Sequence, residues 1–248
     1  MAYIVDQKIE SIAELLPILL NHCPPDKIRW FRGQRDSGWN LTPRLSRGAV
    51  EEEEIITARF NQNAYQYVSE AQRTEWETLY LMQHYGAPTR LLDWSENPLA
   101  ALYFAVESSV PPDENETDGL LWLLDPVKLN TNANIKSDNP RYLPLPNDEV
   151  MNNYKPSVLR SEAKTNFFPI AFVAPRNSNR MVAQLGAFTV CHREFMDLDA
   201  IGDKAHVGRI SVSKDKKESI RAELSALRIN RLTLFPELVS VAAYAGGD

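Results

Sequence analysis

Helix-like and strand-like patterns are distributed unevenly along this chain. Between positions 51 and 85, Ile56, Phe60, Ala64, Tyr67 and Ala71 recur at steps of four, four, three and four, and Trp76, Leu79 and Gln83 follow at similar spacing. That period predicts two helices. The short branched or apolar runs at 119–125, 167–174, 187–192 and 207–212 are bounded by turn residues and predict strands. A last helix is expected over 214–227, where Ile220, Leu224 and Leu227 recur. Helices early and strands late argue against a regular alternating parallel sheet and predict an α+β fold.

A chain of 248 residues is expected to form one large domain with a core that needs no disulfide or metal. Residues 1–26 read as a helical lead-in. Ser11-Ile12-Ala13-Glu14 has the form of a capping box, and Pro17 is expected to kink the helix it opens. The run 27–33, with Trp30 and Phe31, predicts a strand ended by Gly33, with Arg32 at its end. Asn97-Pro98 supplies an N-cap and a first-turn proline for a helix through Ala105. Two stretches lack a regular pattern: the acidic loop 111–118 and the polar region 130–166. The second reads either as a mobile insertion or as two short elements near 142–145 and 150–154.

Charge and composition narrow the partners. Lys and Arg number 27 against 33 Asp and Glu, a net −6, so bulk charge does not recruit nucleic acid or an anionic membrane. Cys23 and Cys191 are the only cysteines, too few for a disulfide framework, which suggests a reducing compartment. The four histidines are scattered without metal-ligand spacing. No apolar run approaches the ~20 residues of a membrane span, and a cytoplasmic protein is expected.

Three clusters could carry chemistry. Between positions 29 and 47 there are five arginines and one aspartate, a local +4. Arginine presents a rigid fork of donors suited to phosphate, and Gly33 after Arg32 would let the backbone approach a ligand closely. The bland alternative pairs these arginines with the acidic run 51–54 or leaves them on a solvated face. The second cluster runs from Met82-Gln83-His84-Tyr85-Gly86 to Thr89, Arg90, Asp93 and Ser95, just before the capped helix. It reads as a pocket wall near orphan backbone amides. Its alternative is a structural Arg90–Asp93 ion pair, with His84 donating to a carbonyl. The third cluster is Gln184-Leu185-Gly186-Ala187-Phe188, where Gln184 could equally be an edge residue bonded to the backbone.

Together these stretches resemble the FRG domain family through Phe31-Arg32-Gly33, Met82-Gln83-His84-Tyr85-Gly86 and Pro88-Thr89-Arg90-Leu91-Leu92-Asp93-Trp94. Ala101-Leu102-Tyr103-Phe104-Ala105, Gln184-x-Gly186-x-Phe188 and Thr233-Leu234-Phe235-Pro236-Glu237-Leu238 add to the likeness, which spans about 28–244. More distantly, their order resembles the ADP-ribosyltransferase fold. That resemblance implies a mixed, mainly antiparallel sheet and a domain that binds NAD and transfers or cleaves it, in the setting of a toxin or phage-defence effector. It implies catalytic roles for Arg32, Asp93 and Gln184. Arg32, Gly33, Gln34, His84, Tyr85, Thr89, Arg90 and Ser95 are the implied NAD-binding set, with Arg32 and Arg90 on phosphates and His84 or Tyr85 beside the base.

Two departures stand out. The middle strand lacks the Ser-Thr-Ser pattern, and Gln184 replaces a glutamate. An amide can bond a ribose hydroxyl but cannot lend charge to a cationic sugar. That leaves either lost activity or a charge relocated to Asp93. The alternatives are a non-catalytic module for a nucleotide or other anionic small molecule, and a nucleic-acid-processing protein. The last draws on 204–231, where eight Lys and Arg against three Asp and Glu give +5.

Overall fold

A computed structural model describes residues 6–47, 52–108, 117–159 and 165–246. In chain order the elements are β1 (Asp6–Ile9), α1 (Ile12–His22), β2 (Trp30–Gln34), α2 (Glu52–Ala64), α3 (Glu75–His84), β3 (Leu91–Ser95), α4 (Pro98–Ala105) and β4 (Gly119–Leu124). There follow α5 (Pro126–Asn132), α6 (Pro156–Leu159), β5 (Ile170–Phe172), α7 (Asn179–Ala183), β6 (Gly186–Val190), β7 (Val207–Val212), α8 (Lys217–Ala226), α9 (Arg231–Leu234) and α10 (Leu238–Gly246). The seven strands form one sheet in the order β1-β7-β4-β2-β3-β6-β5. Only β1 and β7 run parallel; the other pairs are antiparallel. The fold is α+β, as the sequence predicts.

Strand alternation distributes the core over both faces of the sheet. Phe31, Leu121, Leu123, Ile210 and Val212 face α1, α4 and α8, whereas Trp30, Leu120, Trp122 and Leu124 face the opposite side with Leu92, Trp94 and Leu129. A third cluster joins Trp76, Leu79 and Tyr80 of α3 to Phe172 and Phe188.

Local chemistry sets the helix starts. Asn97 Oδ1 accepts from the amide of Leu99 at 2.9 Å and caps α4, whose first residue is Pro98. Ser11 caps α1 by accepting from the Glu14 amide, and the Glu14 carboxylate reaches back to the Glu10 amide at 2.8 Å. The expected box would have reached the Ser11 amide, so it closes one residue earlier.

Several boundaries differ from expectation. Gly33 does not end β2; the strand continues to Gln34, which places Arg32 mid-strand. β5 is three residues rather than eight, and a 3-10 turn over Lys214–Lys216 precedes α8. The lead-in contributes β1 to the sheet and Leu15 and Ile18 to the core. The described part of 130–166 contains a 3-10 segment, Glu149–Tyr154, whose Met151 and Tyr154 are buried. Most of the acidic loop, residues 111–116, lies outside the described residues, as do Glu51 and 160–164.

Candidate functional site

The sheet is almost divided in two. β2 and β3 share a single residue pair, Phe31 opposite Ser95. Past that point β2 continues along β4, from Arg32 opposite Trp122 to Gln34 opposite Leu120. β3 stays with β6, with Asp93 opposite Phe188. Arg32 bridges the gap, its Nη1 donating to the Asp93 carbonyl at 2.8 Å.

Gly33 explains why α4 lies so close to this gap. A Cβ there would stand 1.9 Å from the Ala101 carbonyl oxygen and 2.5 Å from the Ala105 amide nitrogen. The glycine is therefore required by helix packing, rather than by a ligand's approach to the backbone.

The gap opens into a cavity of about 260 Å³, just below the ~300–1,000 Å³ usual for ligand pockets. Arg32, Arg35 and Arg180 line it, with Asp93 and Glu107 as the acidic members and Trp39 and Phe104 as aromatic walls. The Arg35 guanidinium stands 5.2 Å from the Trp39 ring centroid, and its carbonyl accepts from the buried Lys217 at 2.7 Å. A smaller lobe of about 50 Å³ shares Asp93, Arg180 and Gln184 with the main cavity and adds Tyr80, Gln83 and His84. Three guanidiniums against two carboxylates suit an anion that also carries hydroxyl or amide groups.

Of the residues expected at the site, Arg32, Gly33, Gln34, Asp93, Ser95 and Gln184 line the main cavity, and His84 lines the lobe. Both ends of the Gln34 amide are engaged: Nε2 donates to the Asn40 carbonyl at 3.2 Å, and Oε1 accepts from Trp122 Nε1 at 2.6 Å. Ser95 Oγ donates to the Gln184 carbonyl at 2.6 Å and so ties β3 to the end of α7.

Arg90, Thr89 and Tyr85 require correction. Arg90 is 2% exposed and forms a two-point ion pair with Glu53, its Nε donating at 2.8 Å. Its Nη1 also donates to the His192 carbonyl at 2.9 Å. This guanidinium anchors α2 and is held away from the cavity. The partner is Glu53, not Asp93. Thr89 is fully buried and donates to Gln83 Oε1. Tyr85 is 73% exposed, lines neither lobe and packs perpendicular to the His84 ring.

Gln83, Arg35, Trp39, Glu107 and Arg180 were not singled out individually from the sequence. Gln83 Nε2 donates to Asp93 Oδ2 at 2.6 Å. Since a carboxylate only accepts, this fixes the amide with Oε1 toward the Thr89 hydroxyl. Arg180 had one available signal: it lies four residues before Gln184, on the same face of one helical turn. Burial lowers the His84 pKa, the Arg180 charge lowers it further, and Glu237 opposes both. Burial and Arg180 together favour the neutral ring.

Two other arginines of the 29–47 cluster are engaged elsewhere: Arg29 with Asp125 at 3.0 Å and Arg44 with the Gly86 carbonyl at 2.7 Å. Within 204–231, Lys217 and Arg221 donate to the carbonyls of Arg35 and Val106. Among the described residues no group of three or more His, Cys, Asp or Glu could hold a metal ion. No helix among them is long and apolar enough to cross a membrane. Cys23 and Cys191 are both free thiols.

Residues 27–114 match the family model for the FRG domain. Over that segment the chain carries an FRG domain. The match holds β2, α3, β3 and α4, and with them Arg32, Asp93 and Glu107. Arg180 and Gln184 lie beyond it, so the cleft joins one wall from the FRG segment to another from later in the chain. No curated protein and no solved structure matches the chain.

Proposed function

We propose that this FRG domain binds a nucleotide of the NAD type in the cleft between β2 and β3 and acts on it in the manner of an ADP-ribosyltransferase, as a toxin or phage-defence effector would. The observation that carries the reading is the convergence of Arg32, Arg180, Asp93 and Gln184 on one cavity with aromatic walls. Arg32 holds one phosphate, and Arg180 takes the second in place of Arg90. Asp93 and Gln184 meet the ribose hydroxyls. The main cavity is of a size for one half of a dinucleotide, with the remainder at the open mouth.

In the reaction the glycosidic bond to nicotinamide breaks, the bonding electron pair leaves with nicotinamide, and C1′ becomes cationic. Water or an acceptor side chain then bonds to C1′ and releases a proton. Gln184 supplies no negative charge to that cation, so Asp93 is the group assigned to it. Incubation with labelled NAD and candidate acceptors tests the reading. Released nicotinamide with a thermal shift supports it; neither signal rejects it.

A second reading, ligand recognition without turnover, draws support from the engagement of Asp93 Oδ2 by Gln83 and of the Gln184 amide by the Leu234 carbonyl. It predicts stabilisation by NAD without nicotinamide release, loss of binding in Arg32→Ala, and nearly unchanged affinity in Asp93→Asn.

A further inference from the structure

The string Thr233-Leu234-Phe235-Pro236-Glu237 holds no ligand in the reading above, and it runs behind the cleft. Gln184 Nε2 donates to the Leu234 carbonyl at 3.0 Å. The Arg180 guanidinium stands over the Phe235 ring, 4.6 Å from its centroid. Phe104 packs edge-to-face against the same ring at 5.9 Å. His84 Nε2 lies 3.7 Å from Glu237 Oε1. Four side chains that wall the cleft or its lobe thus meet one four-residue segment, although they come from three different helices and a helix cap. The segment itself lines neither lobe.

The segment is braced independently of the cleft. Asn230 Oδ1 accepts from the Thr233 amide, and Thr233 Oγ1 accepts from the Asn230 amide, each at 3.1 Å. Thr233 Oγ1 also donates to the Arg228 carbonyl at 2.7 Å. Leu234 is buried, the Phe235 amide donates to the Arg231 carbonyl at 2.9 Å, and Pro236 fixes the following φ. A rigid support of this kind matters for guanidinium recognition of an anion, because a fork of donors is useful only when its plane is set before the ligand arrives. Apart from the ring, Arg180 has a 3.3 Å bond to the His84 carbonyl, a long one for a guanidinium.

We propose that Leu234–Glu237 is the positioning element of the cleft, with Phe235 setting the plane of Arg180 and the packing of Phe104 for an anionic nucleotide. The claim rests on the nucleotide reading for its ligand, but its geometric half can be tested without one. Phe235→Leu removes the aromatic face and keeps an apolar side chain, whereas Phe235→Tyr keeps the face.

Three quantities are measured: the ligand-free melting temperature, the affinity for NAD by calorimetry, and the Arg180 Nε–H resonance, assigned by its loss in Arg180→Lys. Phe235→Leu is expected to lose the ring-current displacement of that resonance and to bind NAD about tenfold more weakly, with Phe235→Tyr close to wild type in both. Unchanged NAD affinity or an unchanged Arg180 resonance in Phe235→Leu overturns the proposal. If the wild-type protein does not bind NAD, the nucleotide reading fails and the resonance alone decides the positioning role. If Phe235→Leu does not melt cooperatively, Phe235→Met, equally without a ring, replaces it.

Discussion

Gly33→Ala tests the packing that forms the cleft. The added methyl carbon would lie 1.9 Å from the Ala101 carbonyl oxygen and 2.5 Å from the Ala105 amide nitrogen, both backbone atoms of α4. Neither can swing aside as a side chain would. Easing the shorter contact even to 3.0 Å, still tighter than almost any real Cβ contact, requires strand and helix to separate by about 1 Å. Overpacking a core usually costs ~1–3 kcal/mol, and a double clash with backbone belongs at or above the top of that range. At about 2–4 °C per kcal/mol for a chain of this size, the melting temperature should fall by about 6–12 °C. Thermal unfolding followed by circular dichroism at one scan rate measures it. Gly38→Ala is the control, since its nearest neighbour is the Asp36 carboxylate at 3.2 Å, a side chain at an exposed turn. A Gly33→Ala midpoint within about 2 °C of wild type would refute the argument that this glycine exists for helix–strand approach.

Glu53→Ala leaves the Arg90 guanidinium buried without its carboxylate and should cost about 3–5 kcal/mol. Replacing both residues by methionine should recover only part of this, because the Cys191 and His192 carbonyls that Arg90 serves would also lose a donor. Chemical denaturation of the single and double variants decides it, and a single variant as stable as wild type would contradict the role given to the pair. His192 has its pKa lowered to about 4 by burial, with Arg193 and Arg90 adding to the effect. Against an unfolded value of ~6.5, the unfolded chain takes up the proton first as pH falls. Stability is therefore full above about pH 6.5 and declines toward about pH 4. His84 and His206 are lowered in the same direction. Melting temperatures between pH 7 and 5 should decline less steeply in His192→Asn, and equal slopes would remove histidine as the cause. Tyr85→Ser should leave NAD affinity within about twofold, as befits an exposed side chain, whereas Arg32→Ala should abolish binding. A large loss from the tyrosine change, measured by calorimetry, would place that ring at the ligand after all.

The elements read correctly from sequence are those whose own residues decide them. β4 is an apolar run, β7 carries the branched residues Val207, Ile210 and Val212, and α4 announces itself through Asn97 and Pro98. β1 is different: of Gln7, Lys8 and Ile9 only Ile9 enters the core, and the strand exists because β7, some 200 residues later, offers it a parallel edge. Gly33 reads locally as a strand terminator. It lies inside β2 because α4 needs the space a side chain would occupy. In both cases the deciding partner is distant in sequence, and no short window contains it.

The same limit governs the site, with electrostatics in place of packing. A local +4 over 29–47 counts charges without their partners. Folding assigns Arg29 to Asp125 and Arg44 to the Gly86 carbonyl, while Arg32 and Arg35 reach the cleft. Arg90 sits only three residues from Asp93, but it precedes β3 and is buried against Glu53, which draws the arginine inward. Arg180 reaches the cleft from a later helix, with its guanidinium over the Phe235 ring. The cleft's charge is thus set by which guanidiniums the fold carries to its walls, Arg32, Arg35 and Arg180. An anion entering it would be selected by the geometry of a few preset donors, rather than by the field of a basic stretch.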